Sequence, residues 1–186
     1  MIAKKIQKRL QQLPSQQLLQ EIQDFVATRP NHKSERKRWI HYGLFMLCLK
    51  SGLRVSEAIS FDLELVHSQP EYYGLYLIRG KGKRNRYIYV SEEVISTLKE
   101  HHWEPNKTTR RDFWEFLDRV RLDLKISASV ELAPHTLRRC FATYNLLAGN
   151  LPLNILQKVL GHSRVSTTAL YIRDSDIANL LKYKPI

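Results

Sequence analysis

Leu75-Tyr76-Leu77-Ile78-Arg79-Gly80-Lys81-Gly82-Lys83-Arg84-Asn85-Arg86-Tyr87-Ile88-Tyr89-Val90 separates a mixed fold from a purely helical one. Two β-rich runs, Leu75–Ile78 and Tyr87–Val90, flank the basic, glycine-containing loop Gly80–Arg86, which is the pattern of an antiparallel hairpin. Leu63–His67 is expected to supply a third strand. The paired glycines also invite a phosphate-loop reading. No GKS or GKT completes one, however, and no helix follows directly, so nucleotide binding there is rejected.

Outward from the hairpin the spacing of apolar residues turns helical on both sides. Upstream, Pro14-Ser15 opens a helix carrying Leu18, Ile22, Phe25 and Val26 at helical intervals. After a polar turn at Thr28–Ser34 comes a helix over Glu35–Lys50. Its Trp39, Ile40, Leu44, Met46 and Leu47 leave little polar face, which predicts a core position. Gly52 ends it, and a short helix carrying Arg54, Glu57 and Ala58 follows. Downstream, Ser91 caps a helix to about His101. Arg111–Lys125 places Phe113, Phe116, Leu117, Val120 and Leu124 on one stripe. Further helices are expected at His135–Ala148, Pro152–Leu160, Val165–Ile172 and Asp176–Lys182. The fold class is therefore α+β and mainly helical: a single domain with a small three-stranded antiparallel sheet packed on helices.

The chain has 186 residues, 43% of them hydrophobic, enough for one core without disulfides. No apolar run reaches the length of a membrane span, and no apolar stretch follows the basic Met1–Leu10 segment to make a signal peptide. A soluble, cytoplasmic protein is expected, with Cys48 and Cys140 as reduced, buried thiols. Thirty Lys and Arg against eighteen Asp and Glu give a net charge of +12. That excess favours polyanions, nucleic acid before an acidic membrane surface.

Several residues have the chemistry to handle a phosphate. His135 and Arg138 lie three apart, on one face of a helix's first turn, where unpaired N–H groups favour an anion and a guanidinium fork matches phosphate oxygens. The plainer reading is a capping histidine beside a surface charge. Arg54 follows a buried helix, and Glu57 one turn later can hold it; an ordinary ion pair would look the same. Lys81 stands among Lys83, Arg84 and Arg86 on a hairpin suited to tracking a DNA backbone, or simply kept soluble by charge. His162 follows Gly161, which reads as a helix C-cap. Tyr171 is one of nine tyrosines. The other histidines lack the Cys/His spacing of a zinc site, so no metal is expected.

Taken together, the sequence resembles the tyrosine recombinase (phage integrase) family. The resemblance rests on Ser51-Gly52-Leu53-Arg54-Val55-Ser56-Glu57, Gly80-Lys81-Gly82, His135-Thr136-Leu137-Arg138, Leu160-Gly161-His162-Ser163 and Ser166-Thr167-Thr168-Ala169-Leu170-Tyr171. The blocks stand in the family's order, with Tyr171 nine residues beyond His162. The likeness runs from about Leu13 to Tyr171. Arg139 stands where the family often has a second histidine. Members usually carry an N-terminal, helical core-binding domain of roughly a hundred residues; this sequence has no room for one, so either a fragment of a longer protein or a naturally short member is expected.

The resemblance implies residues 13–186 as a catalytic domain with a tail helix near 176–182, preceded by a basic arm or linker at residues 1–12. It implies a site-specific DNA recombinase whose Tyr171 attacks a scissile phosphate to form a 3′-phosphotyrosyl link. Arg54 and Arg138 would hold the phosphate oxygens, His135 would take the tyrosine proton, and His162 would add a hydrogen bond. Lys81 would protonate the leaving 5′-oxygen, and Glu57 would orient the shell. Lys83, Arg84, Arg86, Arg139 and Arg164 are expected to contact DNA. No cofactor, ATP or metal is called for. The implied partner is double-stranded DNA, bound by four copies on paired sites, the free chain being a monomer. Two rival readings stand beside this one: a type IB topoisomerase-like enzyme with the same chemistry, and a non-catalytic helix-turn-helix protein using Leu153–Tyr171.

Overall fold

The computed structural model describes residues 13–28, 34–66, 74–79, 85–148 and 151–161. Helix α1 (Gln16–Thr28) turns Leu19, Ile22 and Val26 inward. Helix α2 (Glu35–Lys50) is capped by the Ser34 hydroxyl, which accepts the Lys37 N–H. Its residues from Ile40 to Leu49 are all buried, because α1, the short α3 (Val55–Ile59) and the helices over Glu92–Glu100 and Pro134–Leu147 all pack around it. Burying side chains the size of Leu44, Phe45, Met46 and Leu47, all with no exposed surface, stabilises by about 1.5–3 kcal/mol each. From Ile40 to Leu49 the helix is wrapped on several sides, which is why its sequence there leaves little polar face.

Gly52 ends α2 with φ +65°, and a Cβ there would sit 2.5 Å from the Phe141 ring. Only glycine meets both conditions without strain. The chain turns through this point to place Arg54 as the N-cap of α3, whose third residue, Glu57, accepts the Arg54 backbone N–H at 2.8 Å.

The hairpin is present: β1 (Leu75–Arg79) pairs antiparallel with β2 (Asn85–Tyr89), with Leu75 opposite Tyr89 and Ile78 opposite Arg86. Tyr76, Ile78 and Ile88 face the core, whereas Leu77, Tyr87 and Tyr89 face outward. The expected third strand is corrected. Leu63–Leu65 forms a 3₁₀ turn instead, because the Asp62 carboxylate accepts the Glu64 N–H and closes a helical turn. Among the described residues the sheet has two strands.

Helix α4 (Glu92–Glu100) is capped by Ser91 and α5 (Arg110–Asp123) by a reciprocal Thr109–Asp112 box. Helix α5 buries Phe113, Phe116, Leu117 and Val120. Helix α6 (Pro134–Leu147) begins on Pro134, one residue before the expected start. Helix α7 (Leu153–Leu160) packs Leu156 and Leu160 on Phe141 and Ala142 of α6, and closes on Gly161 at φ 62°. Cys48 and Cys140 are free and buried, and burial pushes both thiols up to about 12. Among the described residues no helix is long and apolar enough to cross a membrane. The helices expected at 165–172 and 176–182 lie outside the described residues.

Candidate active site

Three elements meet at one carboxylate. Glu57, on α3, is only 13% exposed and takes hydrogen bonds from two guanidinium groups. Arg54 donates Nη1 to Oε1 at 2.8 Å. Arg86, on β2, donates Nη1 to Oε1 at 3.0 Å and Nη2 to Oε2 at 2.7 Å, a two-point fork. Arg138, on α6, brings Nη1 to 3.8 Å from Oε2. Burial by itself would raise the Glu57 carboxyl, but the hydrogen bonds and charges of Arg86 and Arg54 outweigh it and hold the group at about 2. Three cations therefore surround one fixed anion, leaving an excess of positive charge in a partly desolvated place.

The end of α7 is the second anchor. Arg54 and Arg138 both donate Nη2 to the carbonyl of Leu160, Arg54 at 3.3 Å. Arg86 donates Nε to the neighbouring carbonyl of Val159 at 2.7 Å. Arg138 also donates Nη1 to the Gly52 carbonyl at 2.6 Å, so the glycine turn and the arginine fix each other. The last carbonyls of a helix lack intrahelical donors and carry its negative end. Three guanidinium groups satisfy them here. The result is a rigid arginine pair, Arg138 buried at 9% and Arg54 open at 43%, aimed at a common point.

The sequence-derived candidates divide accordingly. Arg54, Glu57 and Arg138 come together. His135 stands one turn before Arg138 on α6, 71% exposed, with Nε2 3.9 Å from a Glu131 carboxylate oxygen. Arg139 pairs with the same Glu131 at 2.7 Å. Arg86, expected among the DNA contacts, is turned inward with 8% exposure; its place opposite the buried Ile78 puts it on the core face of the hairpin. Lys81, Lys83, Arg84, His162, Arg164 and Tyr171 lie outside the described residues. The Val159, Leu160 and Gly52 carbonyls, which anchor the three guanidinium groups, carry no sequence signal. The inward placement of Arg86, in contrast, has a sequence signal in the alternation Arg86, Ile88, Val90.

The model of the phage integrase family matches residues 8–177. This chain belongs to that family. Among its relatives, the tyrosine recombinase XerD of Oceanobacillus iheyensis is 32% identical over 145 residues, covering 67% of this chain and 47% of the relative. The XerD of Shewanella oneidensis is 34% identical over 146 residues, covering 67% and 46%. The integrase-family chain thus spans about half the length of these relatives. Of solved structures, the XerH site-specific recombinase bound to difH substrate superimposes with a TM-score of 0.72 at 21% identity, covering 90% of this chain and 52% of that one. The catalytic domain of bacteriophage HP1 integrase gives 0.58 at 24% identity, covering 90% and 93%. At these identities the superpositions establish a shared fold. The α+β, mainly helical reading of the sequence agrees with them.

Proposed function

We propose that this chain is the catalytic domain of a site-specific DNA recombinase that cuts and rejoins strands through a 3′-phosphotyrosyl intermediate. One observation carries the reading: Arg54 and Arg138, 84 residues apart in sequence, direct guanidinium groups to a single carbonyl beside an ionised glutamate. A helix-turn-helix repressor has no use for that convergence. A phosphodiester does, since its two non-bridging oxygens gain charge as the pentacoordinate state forms, and fixed donors stabilise that gain.

In this mechanism the Tyr171 oxygen attacks the scissile phosphorus. Its unperturbed pKa of about 10 means the proton must be taken as the bond forms, a task for His135. Arg54 and Arg138 hold the non-bridging oxygens and His162 adds a hydrogen bond. The bond to the 5′-oxygen breaks as Lys81 delivers a proton to it. The phosphotyrosyl ester keeps the energy of the broken bond, so a partner strand's 5′-hydroxyl reverses the step without ATP or a metal. Residues 13–186 form the catalytic unit, residues 1–12 an arm or linker, and four copies act on paired sites in bacterial or phage DNA. The similarity to XerD proteins and to a recombinase solved with its DNA substrate supports this reading.

Suicide-substrate DNA carrying a nick near the cleavage point is the direct test. The parent chain should form a covalent adduct that maps to Tyr171 and survives EDTA. Tyr171→Phe should abolish it, by at least about 1,000-fold, while DNA binding persists. An adduct that persists in Tyr171→Phe rejects the assignment. Relaxation of a supercoiled circle bearing a single site, with no exchange between two sites, moves the chain to the type IB topoisomerase class.

A further inference from the structure

We infer that Arg86 is a positioning residue of the cleavage reaction: it locks Glu57 and the end of α7 together, so that Arg54 and Arg138 keep their geometry around the phosphate. This inference rests on the recombinase reading above.

The argument starts from how completely the side chain is used. Both Nη atoms of Arg86 lie on the Glu57 carboxylate and Nε lies on the Val159 carbonyl. The planar fork therefore spans α3 and the last turn of α7 at once. Its aliphatic stem packs against Gly161, where a Cβ would come within 2.9 Å of the Arg86 Cδ. The stem thus fixes the point where the chain leaves α7, one residue before His162. One residue along from the Val159 carbonyl is that of Leu160, the shared acceptor of Arg54 and Arg138. Displacing the end of α7 displaces the anchor of both phosphate-binding groups.

Charge gives a second reason. Arg86 occupies both Glu57 oxygens, and Arg138 stays 3.8 Å away from the nearer one. Without Arg86, the buried carboxylate has Arg54 and Arg138 as its remaining counterions, and Arg138 is drawn onto it and away from substrate. Lysine keeps the charge but reproduces the arrangement only in part, because an ammonium is a point donor without a planar three-nitrogen fork. Arg86 touches neither DNA nor the reacting atoms in this scheme; it acts through Glu57 and α7.

The test compares Arg86→Gln, Arg86→Lys, Glu57→Gln and the double variant Arg86→Gln/Glu57→Gln in the full chain. Adduct formation on suicide DNA is measured at saturating enzyme between about pH 4.5 and 8, with DNA affinity measured by anisotropy. The Glu57 carboxylate is faced by Arg54 beside α3, Arg86 from β2, Arg138 from α6 and the Cys48 thiol from α2. Removing Arg86 removes the chief group holding that carboxyl low.

Arg86→Gln should cleave about 100-fold more slowly with affinity changed less than about threefold. It should also show an acid limb additional to any the parent has from protonation of His135, the ratio of its rate to the parent's falling as pH drops through the raised Glu57 range. The double variant should lack that limb and cleave no worse than the poorer single variant. Arg86→Lys should recover roughly tenfold of the loss, and it carries the test should Arg86→Gln fail to fold. Cleavage within about threefold of the parent, or a loss wholly in affinity with an unchanged pH profile, overturns the inference. A parent chain that forms no adduct overturns the recombinase reading itself, and this inference with it.

Discussion

Glu57 keeps a negative charge in a place that burial makes costly for one. Its carboxyl is held at about 2, against an ordinary value of 4.5, by hydrogen bonds and charges from Arg86 and Arg54. A carboxyl depressed by folding contributes stability at pH values above its unfolded range. That contribution disappears as pH falls from about 4.5 toward the folded value. Allowing for water at the rim of the cluster, it amounts to on the order of 2 kcal/mol. Glu57→Gln should therefore lower stability at neutral pH and flatten the acid arm of the stability curve over that window, as urea titrations at several pH values would reveal. An acid arm identical to the parent's would mean that the ion cluster stabilises nothing. At this scale the sequence was partly legible. Arg54, Glu57 and Arg138 were visible by type and spacing, but Arg86 was read as a loop charge. Strand periodicity would have put it inside, since residues two apart share a face and both Ile88 and Val90 are buried.

Between elements, the α2–α3 corner controls the site. Gly52 must adopt a positive φ, lie against the Phe141 ring and present its carbonyl to Arg138. Gly52→Ala adds backbone strain and a steric overlap together. The expected cost is about 2–4 kcal/mol, read as a lower denaturation midpoint, with adduct formation lost even where the fold survives. A variant of unchanged stability would show that the corner relaxes freely. Most helix positions followed from apolar spacing, and the Ser91 cap was legible in the sequence; Ser34, Thr109 and Pro134 mark the other observed starts. A strand is expected over Leu63–His67, but the Leu-Glu-Leu pattern at Leu63–Leu65 is too short to distinguish a strand from a 3₁₀ turn. The Asp62 cap decided in favour of the turn.

At the scale of the molecule, a net charge of +12 predicts binding driven largely by counterion release. DNA affinity should fall by on the order of 100-fold or more between about 50 and about 200 mM salt, and anisotropy titrations across that range measure the slope. A flat response would exclude phosphate contacts as the main source of affinity. The charge, the helical order around one hairpin and the five blocks that mark the family are properties of the sequence alone. They depend on residue types and on periods of two to four residues, which the chain expresses before it packs. That Arg54 and Arg138 share the Leu160 carbonyl, across 106 and 22 residues, was decided only by tertiary structure. Every residue has a carbonyl, and nothing in its own side chain announces which one a folded core will offer to a distant guanidinium.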